Sequence, residues 1–135
     1  MIRTRLAAAT LAALFAAAPA MAAQLTPVEI INRHMEAGAK NDVAGVLADY
    51  ADDAVVLNGA QSTQGKTAIG AMYKTILVPN GPVAGIKPVK VWSQGDVGFV
   101  SWEAGPRKGT DSFLIKNGKI AVQAVFIGVG PPAGG

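Results

Sequence analysis

The chain has 135 residues, with 12 Lys/Arg against 9 Asp/Glu, one histidine and no cysteine. The missing cysteines exclude disulfides, thiolate metal sites, thiol redox chemistry and a cysteine nucleophile, so stability must come from packing. The net charge of +3 is spread without a basic cluster, which excludes the phosphate-neutralising surface that nucleic-acid binding requires.

The first segment carries Arg3 and Arg5 and no acid, then an unbroken small or apolar run from Leu6 to Ala18, then Pro19-Ala20-Met21-Ala22. A positive start, a short apolar run and a small-x-small ending predict a signal peptide over 1–22, cut near Ala22. The product would be exported, either periplasmic or secreted. The run is shorter than the roughly 20 apolar residues of a membrane span, so no stable membrane anchor is expected. Without Arg3 and Arg5 the remaining chain has ten Lys/Arg against nine Asp/Glu, a net charge of +1 instead of +3. Residues 23–128 are long enough for one domain with one core, and the Gly/Pro-rich 129–135 predicts a flexible tail.

Thr26-Pro27-Val28-Glu29 predicts a helix start, with a reciprocal Thr26/Glu29 capping box, Pro27 in the first turn and a Leu25/Ile30 staple. Val28, Ile31, Met35 and Ala39 then fall on one face, with Arg33, Glu36 and Lys40 opposite. Asp42 predicts the cap of a second helix, with Val43, Val46, Leu47 and Tyr50 as its stripe. Ala51-Asp52-Asp53-Ala54 reads as a break and Val55-Val56-Leu57 as a short strand. A polar loop, Asn58 to Gln64, leads to a third helix with the stripe Ile69, Met72, Tyr73, Ile76 and Leu77. Pro79-Asn80-Gly81-Pro82 stops that helix. Strands follow over Ile86–Trp92, Val97–Ala104, Asp111–Ile115 and Ile120–Ile127. Asn117-Gly118 forms a two-residue hairpin that pairs Lys116 with Lys119. From that turn, Asp111, Phe113 and Ile115 are expected to share a face with Ile120, Val122, Ala124 and Phe126. Three amphipathic helices over a strand meander make an α+β arrangement.

Three landmarks in this order carry a resemblance: Tyr50-Ala51-Asp52-Asp53-Ala54-Val55-Val56, Gly65-Lys66-Thr67-Ala68-Ile69 and Asn117-Gly118-Lys119-Ile120. The chain resembles the nuclear transport factor 2-like superfamily, within it the SnoaL-like and ketosteroid isomerase-like branch. The resemblance implies a cone-shaped, strongly curved antiparallel sheet packed on three N-terminal helices, with a mostly apolar pocket. Members include isomerases, cyclases, hydrolases, dehydratases, non-catalytic binding or assembly domains, and many dimers. The isomerases' helix Tyr, base Asp and second Asp correspond here to His34, Asn58 and Asp111. An amide takes no proton at neutral pH, so Asn58 does not support the isomerase proton shuttle.

Asp111 is the most informative polar residue, and two placements are open. On the face with Phe113 and Ile115 it would lose water and favour its protonated, donating form. Otherwise it points to solvent or caps the turn after Pro106-Arg107-Lys108-Gly109. His34 is either an acid/base or donor in the pocket or a partly exposed residue on the helix flank. Asn58 is a rim hydrogen-bonding group or a loop residue, and Asp52-Asp53 are explained by turn formation and capping. Tyr50, Tyr73, Met35, Met72, Trp92, Trp102, Phe113 and Phe126 are candidates for lining the pocket, or else core. One histidine and dispersed acids give no metal-ligand spacing. Ser62, Ser93, Ser101 and Ser112 lack a nucleophile elbow, and no glycine-rich phosphate loop is present. No cofactor is expected. The leading reading is an exported domain that binds a small apolar molecule, with His34, Asn58 and Asp111 orienting it. The alternatives are a cofactor-independent isomerase, cyclase or hydrolase using His34 and Asp111, and a homodimeric assembly module with a filled pocket.

Overall fold

The computed structural model describes residues 22–134, so all of the expected signal peptide but Ala22 lies outside the described residues. Helix α1 spans Pro27–Ala39 and opens on the expected capping box: the Glu29 amide donates to the Thr26 hydroxyl, and the Glu29 carboxylate accepts from the Thr26 amide at 2.8 Å. Its buried face is Ile30, Ile31, His34 and Met35, rotated from the expected stripe, while Ala39 and Leu25 stay exposed and no staple closes. Helix α2 spans Val43–Ala48 behind its Asp42 cap, with the Gly45 amide donating to the Asp42 carboxylate at 2.9 Å. It ends earlier than expected, and Tyr50 opens strand β1, Tyr50–Asn58. Asp52 and Asp53 therefore lie inside a strand, not in a turn. Pairing with the parallel strand over Lys119–Ile127 shifts register between Tyr50 and Val55, which accommodates these two exposed carboxylates in an irregular stretch.

The expected Asn58–Gln64 loop is a hairpin, whose return strand β2 spans Gln61–Gln64. Helix α3, Lys66–Ile76, buries Ile69, Gly70 and Tyr73. Strands β3 (Lys87–Gln94), β4 (Val97–Ala104), β5 (Arg107–Lys116) and β6 (Lys119–Ile127) complete one sheet in the order β2-β1-β6-β5-β4-β3. β1 and β6 run parallel, so the sheet is mixed where a wholly antiparallel one was expected. The class is α+β, as expected, and the curved sheet does not close on itself.

The Asn117-Gly118 turn forms with φ of 50° and 72° and pairs Lys116 with Lys119. A register shift between Leu114 and Ile115 then turns β6 over relative to the simple count. Phe113 faces Gln123 and Asp111 faces Val125, while Val122, Ala124 and Phe126 go to the outer face. Phe126 is accordingly 49% exposed.

The pairing lays residues out in rows across the sheet. One inner row runs Val91, Val100, Asp111, Val125, Asn58, and the next runs Gly98, Phe113, Gln123, Val56. α1 crosses the inner face so closely at Gly98 that a Cβ there would lie 2.3 Å from the Ile31 side chain. The core gathers Ile30, Ile31, Tyr50, Ile69, Val100, Phe113 and Ile120 between α1, α3 and the sheet. Thr110 donates to the Val129 carbonyl at 2.9 Å, which ties the start of the tail to β5.

Candidate functional site

A cavity of about 330 Å³ opens between α1, α3 and the inner face of the sheet. His34 and Met35 reach it from α1, Met72, Tyr73, Ile76 and Leu77 from α3 and its end, and Pro82, Val83 and Ile86 from the following loop. The sheet supplies Val56, Asn58, Trp102, Arg107, Asp111, Gln123, Val125 and Ile127. The size lies at the lower end of the range for small-molecule sites, and the wall is mostly apolar with few polar groups.

Those polar groups form a chain. Trp102 Nε1 donates to Asp111 Oδ1 at 2.9 Å, and Gln123 Nε2 donates to Asp111 Oδ2 at 2.7 Å. This turns Gln123 Oε1 toward two phenols, where it accepts from Tyr50 and lies 3.2 Å from the Tyr73 hydroxyl. The two hydroxyls are 2.7 Å apart. With one proton each, Tyr50 satisfies Gln123 while Tyr73 supplies the Tyr–Tyr bond. Burial pushes the Asp111 carboxyl up to about 6, against the opposing hydrogen bonds from Trp102 and Gln123. Burial likewise drives both phenols upward, so they remain neutral donors.

Trp102 reaches Asp111 because β5 carries glycine at position 109. A Cβ there would lie 2.5 Å from the indole, so the ring occupies the space that any other side chain would need. Asn58 stands two strands from Asp111 in the same row, at the exposed rim.

His34 is buried, not on the helix flank. It sits edge-on to Tyr50, Tyr73 and Phe113, with ring centroids 5.4, 6.2 and 5.5 Å away. Burial lowers its pKa to about 4, with the Val46 backbone pulling slightly the other way, so its imidazole is neutral at neutral pH. Behind it lies Asp49, fully buried, which accepts from Arg33 Nε at 2.8 Å; its other oxygen is 3.9 Å from His34 Nδ1.

Of the expected lining residues, the structure brings His34, Asn58, Asp111, Met35, Met72, Tyr73 and Trp102 to the cavity. Tyr50 and Phe113 lie behind that wall, under the polar chain and under His34. Trp92 and Phe126 do not line it. Trp92 stacks on Phe99 on the outer face at 5.2 Å and 11°, and Phe126 follows the register shift outward. Gln123, Arg107 and Asp49 were not foreseen. A single glutamine inside the apolar run Ile120–Ile127 was the available signal for the first. Among the described residues no three His, Cys, Asp or Glu gather in a metal-binding group, and no helix is long and apolar enough to cross a membrane.

The model of the SnoaL-like domain matches residues 31–123. The chain belongs to the SnoaL-like family. Solved structures agree on the nuclear transport factor 2-like fold of this SnoaL-like chain. An NTF-2 like protein of unknown function from Burkholderia xenovorans is 19% identical, with 81% of this chain and 88% of that one covered, at a TM-score of 0.66. A putative polyketide cyclase from Sinorhizobium meliloti is 27% identical over 72% and 93% of the two chains, at 0.62. An LEH-like epoxide hydrolase from M. tuberculosis is 17% identical over 75% and 81%, at 0.59. No curated protein matches the SnoaL-like chain.

Proposed function

We propose that this SnoaL-like domain, after export directed by residues 1–22, binds a small, largely apolar molecule whose carbonyl or hydroxyl group meets Asp111. The observation that carries this reading is the buried Asp111 carboxyl on the cavity surface, held by Trp102 and Gln123 and surrounded otherwise by apolar wall. Protonated, it donates to a carbonyl; ionised, it accepts from a hydroxyl. A carbonyl ligand therefore binds more tightly as pH falls through about 6, and an alcohol less tightly. A thermal-shift screen against apolar ketones, sterols and polyketide-like rings is expected to find a ligand. At a hundred times its dissociation constant that ligand adds about 2.7 kcal/mol of stability. Asp111→Asn is expected to weaken binding of a hydroxyl ligand above pH 6 about tenfold or more, the range of a hydrogen bond to a charged group. No stabilisation by any of these compounds on either side of pH 6 would sink the reading.

An enzymatic reading is favoured by the likeness to a putative polyketide cyclase. Asp111 is then the proton-exchanging group, with neutral His34 as a neighbouring donor, and no cofactor is called for. Its mark is turnover of the bound compound with a pH–rate limb near 6 that vanishes in Asp111→Asn.

The outer sheet face supports a homodimer. Its central row runs Trp92, Phe99, Ser112, Ala124, Leu57 across five strands, flanked by Val97, Leu114, Val122 and Val55. No charged residue belongs to these rows, although Lys90 Nζ lies 5.6 Å over the Trp92 ring at their edge, and a second copy covers such a face with its own in a two-fold arrangement. Light scattering is expected to give twice the monomer mass, reduced to the monomer in Leu114→Lys. A monomeric unaltered chain at micromolar concentration contradicts the dimer.

A further inference from the structure

We infer that the ligand is anionic at its outer end, so that the cavity takes an apolar carboxylate whose charged group is held by Arg107 at the mouth. The inference deepens the ligand-binding reading above and rests on it.

Alternation along β5 puts Arg107, Gly109 and Asp111 on one face of the sheet. Four residues of strand separate the two charged positions by about 13 Å. Between them no β5 side chain intervenes, because position 109 is glycine and the Trp102 indole occupies the space above it. The cavity thus has a polar group at each end of a smooth floor, with Ile76, Val83, Ile86 and Ile127 along the walls.

Arg107 is not committed elsewhere. Its guanidinium donates to the Pro82 carbonyl at 3.3 Å, a long bond to the loop that borders the mouth. It enters none of the ion pairs among the described residues, whereas Arg33, Lys40, Lys66 and Lys116 each face a carboxylate. A guanidinium has five donors in a planar fork suited to a carboxylate, and most of these remain open. Arg107 is also the cavity's fixed positive charge, since His34 is neutral there and every other lining side chain but Asp111 is uncharged at neutral pH. The residue is exposed at the rim, so an anion docking on it keeps part of its hydration and avoids the cost of full burial. Asp111 at the inner end would repel the same anion when ionised, which gives the molecule one orientation: charge outward, carbonyl or hydroxyl inward.

The test uses calorimetric titration of the full domain with an aryl ketone bearing a carboxylate on a short alkyl chain, and with the methyl ester of that acid. The acid is expected to bind about tenfold more tightly than the ester, a difference that shrinks as salt is raised. Arg107→Gln is expected to abolish the preference by bringing acid binding down to the level of the ester, and Arg107→Lys to keep part of it. Equal binding of acid and ester by the unaltered chain overturns the inference and leaves the cavity reading standing. Persistence of the preference in a folded Arg107→Gln overturns it as well. Failure of both probes to bind overturns the cavity reading and the inference together. If Arg107→Gln does not fold, the acid-to-ester ratio and its salt dependence in the unaltered chain decide the matter.

Discussion

Asp111→Asn is expected to make the fold acid-sensitive, with about 3 kcal/mol of stability lost between pH 6.5 and pH 4 that the unaltered chain retains. Two buried groups titrate oppositely in this window. His34 stays neutral in the folded chain down to about 4, whereas in the unfolded chain it takes a proton near 6.5. The unfolded state binds the extra proton, so the His34 contribution falls as pH falls. Asp111 is protonated in the folded chain up to about 6 but only below about 3.8 when unfolded. Here the folded state holds the extra proton, so its contribution rises as pH falls and is lost as pH rises through 6. The two slopes nearly cancel. Removing the carboxyl leaves the histidine slope alone, and His34→Gln leaves the opposite one. Urea unfolding at several pH values reads both, and parallel profiles for the unaltered chain and Asp111→Asn would contradict the assignment. Above pH 6 the unaltered chain holds an ionised carboxylate that burial disfavours. The cavity therefore keeps its carboxyl at a cost to the fold.

Gln123→Leu is expected to lower stability by about 2–6 kcal/mol at pH 7. Leucine fits the volume but offers no polar atom. Asp111 Oδ2 loses its donor, and the phenol pair loses the acceptor that takes up a proton. Each buried polar group left without a partner costs about 1–3 kcal/mol. The urea midpoint is expected to drop with an unchanged slope, the sign of altered stability without altered compactness. A loss below about 1 kcal/mol would show that the chain from Tyr50 to Trp102 is not held together through Gln123.

Much of the fold is written locally. The Thr26/Glu29 box, the Asp42 cap, the α3 stripe and the Asn117-Gly118 turn each depend on residues within a few positions, and each appears where the pattern puts it. What escaped depends on pairing between distant strands. Asp52 and Asp53 look like a turn because a strand with a register shift tolerates polar, exposed residues that a regular strand does not. The shift at Leu114/Ile115 has no signature in hydrophobic alternation, yet it exchanges Val122, Ala124 and Phe126 for Gln123 and Val125 on the inner face. Asp111 was readable as a strand residue with apolar neighbours. Its partners were not, because Trp102 reaches it only through the gap at Gly109, and Gln123 only through the shifted register.

The parallel β1–β6 pairing has a consequence for how the chain acquires this structure. The last strand of this sheet in chain order, Lys119–Ile127, lies inside the sheet and joins the β1–β2 hairpin to the β5–β4–β3 meander. Until it arrives, both halves present unpaired edges, and the wall that carries Gln123 and Val125 does not exist. Closing the sheet links Val55 to Val122 across most of the domain, a high-contact-order step that is slow compared with helix formation. The cavity therefore cannot form before the chain has been made through Ile127. A chain interrupted after Lys116 has two adhesive half-sheets in place of a smaller version of the fold.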